Sequence, residues 1–181
     1  ITIPHALEVK FQLNSTKKYD LVYVASSNEH NVKSAKWFFE EVYPKLNTTL
    51  SICVVGKINE YIPELPNVTK IHFLEDLNQV YSESRVAICP MLSGTGLKIK
   101  VVEALSYGLP VVCNPRGIDG LINKTNNGCL VTEDATTFSK YIEQLLTDKS
   151  FYQQQQTLSE NFFVNYLSVE SVYLELDKVF K

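Results

Sequence analysis

The sequence predicts an α/β domain built on a doubly wound, mainly parallel, Rossmann-like sheet. Three observations lead there. Six short runs are apolar at successive positions instead of alternate ones, the pattern of strands buried on both faces. Segments of helical periodicity separate the runs, as β/α alternation requires. After the fourth run a glycine loop leads straight into a helical segment, at the end of the sheet where such folds bind ligands. The 181 residues, 45% hydrophobic and 20% charged, suffice for one ordinary core and are too few for two.

The first run is 21–25, Leu-Val-Tyr-Val-Ala. Ala35, Phe39, Val42 and Leu46 then recur at helical spacing, with Pro44 near the end of that helix. Residues 50–55 form the second strand and 68–73 the third. Asp76 is placed to cap a helix carrying Leu77, Val80 and Tyr81. The fourth strand is 86–90, and the helix after the glycine loop runs to about Tyr107, where Gly108 stops it. Residues 110–113 and 129–131 are the fifth and sixth strands. Only helices follow. Phe138, Tyr141, Ile142 and Leu145 mark one of them; Val169, Val172, Leu176 and Val179 mark the last, with Ser168 as its cap. The glutamine tract 153–156 is a solvated helix face or a connection. These elements divide the chain into a lead-in at 1–19, a ligand-binding domain at 20–167 and a C-terminal helix at 168–181.

Composition narrows the function. A formal net charge of -3 gives no basic field, which argues against nucleic acid as the main partner. No apolar run approaches the roughly 18 residues of a membrane span, while peripheral membrane contact stays compatible with the composition. The N-terminus has neither an initiator Met nor the parts of a signal peptide, so the chain is read as cut from something longer. Cys53, Cys89, Cys113 and Cys129 form no Cys-x-x-Cys pair and fit small buried thiols in a reducing, cytoplasmic compartment. No Asp-x-Asp occurs, and no Asp, His or Cys cluster lies near the glycine loop, so neither a metal nor another cofactor is expected.

The glycine loop reads Ser93-Gly94-Thr95-Gly96-Leu97-Lys98-Ile99-Lys100. Two glycines one residue apart let backbone N–H groups turn toward a ligand. The positive end of the following helix faces the same place, and Lys98 and Lys100 add full charges. The combination suits a diphosphate; the alternative is a loop that needs two glycines only to turn. It is no dinucleotide fingerprint, because Ile99 stands at the third glycine position, and no Walker loop, which has four residues between its glycines. On a helical wheel Leu97, Val101, Ala104 and Leu105 share the core face. Lys100 and Glu103 lie together on a neighbouring edge, with Tyr107 beyond. Such a pair suits phosphate and ribose hydroxyls; a surface ion pair is the alternative. Lys98 falls near the core stripe and either serves the ligand or snorkels.

The stretch 94–112, Gly-Thr-Gly-Leu-Lys-Ile-Lys-Val-Val-Glu-Ala-Leu-Ser-Tyr-Gly-Leu-Pro-Val-Val, resembles the donor-binding signature of GT-B glycosyltransferases. The likeness is to the large retaining group (glycosyl transferases group 1, family 4) that includes glycogen-synthase-like and mannosyltransferase enzymes. Residues 31–46, 76–81, 86–90 and 116–121 are similar to the neighbouring segments of that family, so the resemblance covers about 20–147. It implies the C-terminal half of a GT-B fold, with an acceptor domain N-terminal to it. It also implies a retaining, metal-independent hexosyltransferase that uses a nucleotide-sugar in polysaccharide or glycoconjugate biosynthesis. The chain by itself is then expected to be inactive, for want of the acceptor domain.

Residue by residue, the resemblance implies that Glu103 binds the ribose hydroxyls and that Gly94, Thr95 and Gly96 underlie the diphosphate and sugar. Lys98 and Lys100 match basic residues near the phosphates; Phe73 and Leu74 match the loop that reads the base. Ser26 to Asn31 match the first strand–helix loop, close to the phosphates. No catalytic residue is assigned. Many members carry a second glutamate eight positions before the one matched by Glu103; here Thr95 stands there and supplies no carboxylate. The first loop has Ser26-Ser27-Asn28-Glu29-His30 in place of the usual glycine. His30 is read as a solvated loop histidine in preference to a phosphate contact, and His72 as structural. Two other readings remain: a non-catalytic GT-B-like module that binds a nucleotide or a protein, and a phosphate-binding domain of flavodoxin type.

Overall fold

The computed structural model describes residues 5–11 and 16–179. Among them lies one six-stranded sheet, parallel throughout, in the order β3-β2-β1-β4-β5-β6. The strands are β1 (Tyr19–Val24), β2 (Ile52–Val55), β3 (Val68–Ile71), β4 (Ser84–Cys89), β5 (Val111–Cys113) and β6 (Cys129–Val131). The chain runs outward from β1 to β3 on one side, then returns to start β4 beside β1, with Leu21 opposite Val86. That reversal leaves a crevice beyond the carboxyl ends of β1 and β4, the place where such sheets take ligands.

Alternate residues of the central strands feed two cores. Leu21, Tyr23, Ile52, Val54, Val86, Ile88 and Val112 face one side. There α1 (Glu29–Trp37) and α4 (Ala135–Thr147) cover them, Phe138 packing edge-on against Trp37 and Phe38. Val22, Cys53, Val55, Ala87, Cys89, Val111 and Cys113 face the other side, under α2 (Asn78–Ser82), α3 (Ile99–Ser106) and α5 (Lys149–Tyr166). Burial on both faces explains the continuous apolar runs. Cys53, Cys89 and Cys113 are buried free thiols and Cys129 is half-buried; burial pushes Cys89 up to about 12.

Beyond shifts of one or two residues at strand ends, the structure departs from the expected elements in three places. The expected first helix is α1 only as far as Trp37; a π-helical turn (Phe38–Val42) and a 3-10 turn (Tyr43–Lys45) follow. Pro44 has no N–H to offer the Glu40 carbonyl, and the chain widens so that the Tyr43 N–H donates to the Phe38 carbonyl. β3 stops at Ile71 because its partner β2 ends at Val55, opposite it; Phe73, expected within the strand, is 75% exposed. Asp76 does not cap α2: Leu77 is the flanking residue, and Asp76 accepts from the Asn78 N–H in a turn just ahead of the helix. The glutamine tract is on a helix, one of the two readings expected of it, and belongs to the 18-residue α5, capped by Asp148. Its Gln153 and Gln154 are exposed, but Gln155 is buried.

α6 (Val169–Val179) packs on α5, with Val172 buried, and the Ser171 N–H donates to its cap, Ser168 Oγ. The side chain of Val179 lies outside the described residues. Ahead of β1, Leu7 exchanges backbone hydrogen bonds with the turn at 167–169, and the Lys10 N–H donates to the Ser106 carbonyl. Among the described residues no helix is long and apolar enough to cross a membrane.

Candidate functional site

The crevice beyond β1 and β4 is a cleft of about 550 Å³. Of the residues singled out from sequence, Gly94, Thr95, Lys98, Lys100, Glu103, Ser26 and Asn31 line it together. Gly94 has a φ of +92° and Gly96 of +79°, a region that side-chain-bearing residues adopt at a cost of about 1–2 kcal/mol, so the loop's path depends on both glycines. Behind it α3 starts without a side-chain cap, whereas Asn28, Asp134 and Asp148 cap α1, α4 and α5. The first N–H groups of α3 are thus left for a ligand, at the positive end of the helix.

Each charged group in the cleft is held by neutral partners. The Lys98 ammonium is buried and folds back to donate to the Gly96 carbonyl at 2.7 Å, strutting the loop that it follows. It reaches back past the helix start to the loop and does not snorkel to bulk water. Lys100 donates to Asn31 Oδ1 at 2.9 Å, lies 3.9 Å from the Met91 sulfur and stands over the Tyr23 ring. Asn31 is fixed in turn, its amide donating to Ser26 Oγ and its N–H to Asn28 Oδ1. Burial lowers the Lys100 pKa from its ordinary value. Glu103 accepts from the Tyr81 hydroxyl at 3.3 Å, and burial raises its carboxyl above the usual range against the opposing pull of that bond. Among the described residues none of these three groups is in an ion pair. The surface ion pair that the wheel allowed between Lys100 and Glu103 does not form. The cleft instead keeps two cations and a carboxylate partly desolvated and unpaired, which a ligand carrying phosphate and hydroxyl groups would complement.

Phe73 and Leu74 do not line this cleft. The residues after them, Glu75, Asp76 and Leu77, line an adjoining hollow of about 210 Å³ with Lys10, Tyr81 and Tyr107, and Glu103 borders both spaces. Tyr81 and Tyr107 stack there at 5.2 Å. Among the described residues no group of three or more His, Cys, Asp or Glu side chains is arranged to hold a metal ion.

Several supports were not visible in the sequence. Buried Asn114, at the end of β5, accepts from the Met91 N–H and donates to the Thr132 carbonyl, fixing the base of the loop. Ser34 Oγ accepts from the Leu92 N–H. His30 Nδ1 lies 2.8 Å from Ser93 Oγ, so this histidine touches the glycine loop despite its exposure. Gly120, with a φ of +81°, backs the loop's exit: a Cβ there would stand 2.8 Å from the Leu97 nitrogen. Gly120→Ala is expected to cost about 1–3 kcal/mol of stability through strain and to displace Leu97. A thermal melt several degrees lower, with weakened ligand affinity, checks this; an unchanged melt would show that the turn yields freely.

Comparison with known proteins gives three findings. The family model of glycosyl transferases group 1 matches residues 18–148. A curated relative from Klebsiella pneumoniae, an uncharacterized 44.6 kDa protein in the cps region, is 23% identical; the match covers 62% of this chain and a third (33%) of that protein. Among solved structures, the C-terminal domain of a glycosyl transferase group 1 family protein (LpcC) from Francisella tularensis is similar with a TM-score of 0.71 at 11% identity, covering 91% of this chain and 100% of that one. HepE from Anabaena, solved with UDP and glucose, is similar with a TM-score of 0.68 at 14% identity, covering 90% of this chain and 48% of that one. At such identities the likeness establishes the fold, that of GT-B C-terminal domains.

Proposed function

The chain belongs to the glycosyl transferases group 1 family, and from that premise we propose that it is the donor-binding domain of a retaining, metal-independent glycosyltransferase acting in polysaccharide or glycoconjugate biosynthesis. One observation carries the reading. The glycine loop, the uncapped start of α3, Lys98, Lys100 and Glu103 converge on a single cleft at the switch point of the sheet. A nucleoside diphosphate fits this order of groups: ribose hydroxyls donate to Glu103, and the phosphates meet Lys100, the helix start and the glycine loop. As the bond to the sugar breaks, negative charge develops on the leaving diphosphate. Preoriented N–H groups and two ammonium groups stabilise that charge where water is scarce, the role a divalent cation plays elsewhere. The solution of HepE with UDP makes UDP the first donor nucleotide to test.

The acceptor is placed on a second domain across the cleft, as in other GT-B enzymes; the chain spans about half the length of HepE. Transfer needs donor and acceptor at attack distance with water excluded, and a single Rossmann-like domain supplies one wall. The 181 residues alone are expected to bind donor and to consume it only by slow hydrolysis. Robust transfer to an added glycan or lipid acceptor would overturn this. Thr95, where many members have a carboxylate, favours a second reading, a non-catalytic nucleotide-binding module; a longer chain including the partner domain would then bind donor yet transfer nothing.

Calorimetric titration of UDP, GDP and ADP in the presence of EDTA tests the metal-free part. One nucleotide should bind with the same affinity with and without the chelator. Binding that EDTA abolishes would refute metal independence.

A further inference from the structure

One wall of the hollow beside the cleft comes from ahead of β1. Lys10 lines it with Glu75, Asp76 and Tyr107, and Glu103 borders both spaces. The Lys10 ammonium donates to Asn78 Oδ1 at 2.7 Å and to the Tyr107 hydroxyl at 3.3 Å, and these two partners also bond each other. An ammonium carries three N–H groups, so one is left over. Among the described residues Lys10 is in no ion pair. Two explanations compete. The first is that the side chain only fastens the lead-in to the domain. The backbone does that already: the Lys10 N–H donates to the Ser106 carbonyl, and Leu7 exchanges hydrogen bonds with the turn at 167–169. The second is that the ammonium serves a ligand in the hollow. Lys10 stands ahead of residues 18–148, the part of the chain that the family accounts for.

We propose that Lys10 selects the nucleobase, its ammonium donating to the oxo group of uracil or guanine. The proposal rests on reading the cleft as a nucleoside-diphosphate site. Position then gives the base its place. Along α3, Lys100 stands at the phosphates and Glu103, three residues on, at the ribose. Tyr107 comes one turn later, just past the end of the helix, with Lys10 beside it. One turn advances about 5.4 Å, the scale of the step from a ribose to the far edge of its base. At that edge uracil has an oxo group where cytosine has an amino group, and guanine an oxo group where adenine has an amino group. An ammonium only donates, so it bonds the oxo bases and meets the amino bases donor to donor. An amino base would also strip water from the ammonium with nothing in exchange. Asp76 offers an amino group little compensation, since both of its carboxylate oxygens accept from Asn78. Glu75 is exposed, where water competes for it.

The test is calorimetric titration of UDP, CDP, GDP and ADP into the wild-type chain and the variants Lys10→Met and Lys10→Arg. In the better-bound pair, pyrimidine or purine, the oxo member should bind about five- to tenfold more tightly than its amino partner, the worth of one such hydrogen bond. Lys10→Met should remove most of that preference, weakening the oxo nucleotide about five- to tenfold and the amino one less than about twofold. Lys10→Arg, which keeps a donor, should retain most of it. Lys10 also acts on Glu103 through its field, which opposes the rise in that carboxyl's pKa; an effect by that route is the same for every base. Equal losses for all four nucleotides in Lys10→Met would therefore make Lys10 a tie for the lead-in or a charge beside Glu103, and would overturn the proposal. A wild-type preference for CDP or ADP, or an unchanged preference in Lys10→Met, would overturn it as well while leaving the cleft's assignment standing. Failure of the wild-type chain to bind any of the four would remove both.

Discussion

Lys100→Met is expected to weaken nucleoside-diphosphate binding by about 1.5–3 kcal/mol, roughly ten- to a hundredfold, the range for hydrogen bonds made by a charged group. The size follows from how the ammonium is held. Asn31, the Met91 sulfur and the Tyr23 ring surround it without neutralising it, and burial already disfavours its charge. A phosphate would supply the missing counter-charge in a setting less screened than a surface. The pH dependence has a definite sign. A lysine whose folded pKa is depressed contributes stability that is present above its ordinary 10.5 and lost as pH falls through the lowered value. At neutral pH the empty cleft therefore bears the cost of that charge, and ligand binding relieves it. Methionine keeps the length of the stem and removes the charge. Calorimetry checks the loss; unchanged affinity would separate Lys100 from the phosphates.

The second large effect is expected at Glu103. Glu103→Ala should cost about 1–3 kcal/mol of affinity, the loss of charge-assisted bonds from ribose hydroxyls. Burial holds the carboxyl pKa above the ordinary 4.5. A raised folded pKa means that this group's contribution to stability is present at low pH and is lost as pH rises through the folded value. Glu103→Gln, which can still accept from Tyr81, should consequently melt no lower than wild type at neutral pH while binding ligand more weakly. In the wild type, affinity should begin to fall on acidification at a pH above that of an ordinary carboxylate, and in Glu103→Gln this dependence should vanish. A variant that loses stability and affinity together would mean that Glu103 holds the fold and not the ligand. Tyr81 supports the assignment, since burial and the neighbouring charge keep its hydroxyl protonated as a donor.

Much of this arrangement was legible in the sequence because it follows from periodicity. Runs such as Leu21 to Val24 are apolar throughout because both sheet faces are covered, and the resulting strands give the parallel sheet. Lys100 and Glu103 share an edge of α3 because they are three residues apart on a helix whose core face is apolar. What was not legible depends on contacts distant in sequence. The end of β3 is set by the length of β2, not by the apolar Phe73 and Leu74 just past it. The backward fold of Lys98 depends on where the Gly96 carbonyl points. Asn114 and His30 read as ordinary loop residues until the fold brings them to Met91 and Ser93. α5 was obscured because its glutamines and serines give little contrast between faces, although Gln155 and Ser159 are buried in it.

The central claim is that the cleft between β1 and β4 is a nucleoside-diphosphate site. A crystal structure of the chain with whichever of UDP, GDP or ADP raises its melting temperature most tests it directly, since a ligand that binds the folded state alone stabilises it in proportion to RT ln(1 + [L]/Kd). The expected complex has the diphosphate against Gly94, Thr95 and Gly96, the Lys100 ammonium on a phosphate oxygen and the ribose hydroxyls on Glu103. A nucleotide seated anywhere else, or with its ribose away from Glu103, would contradict it.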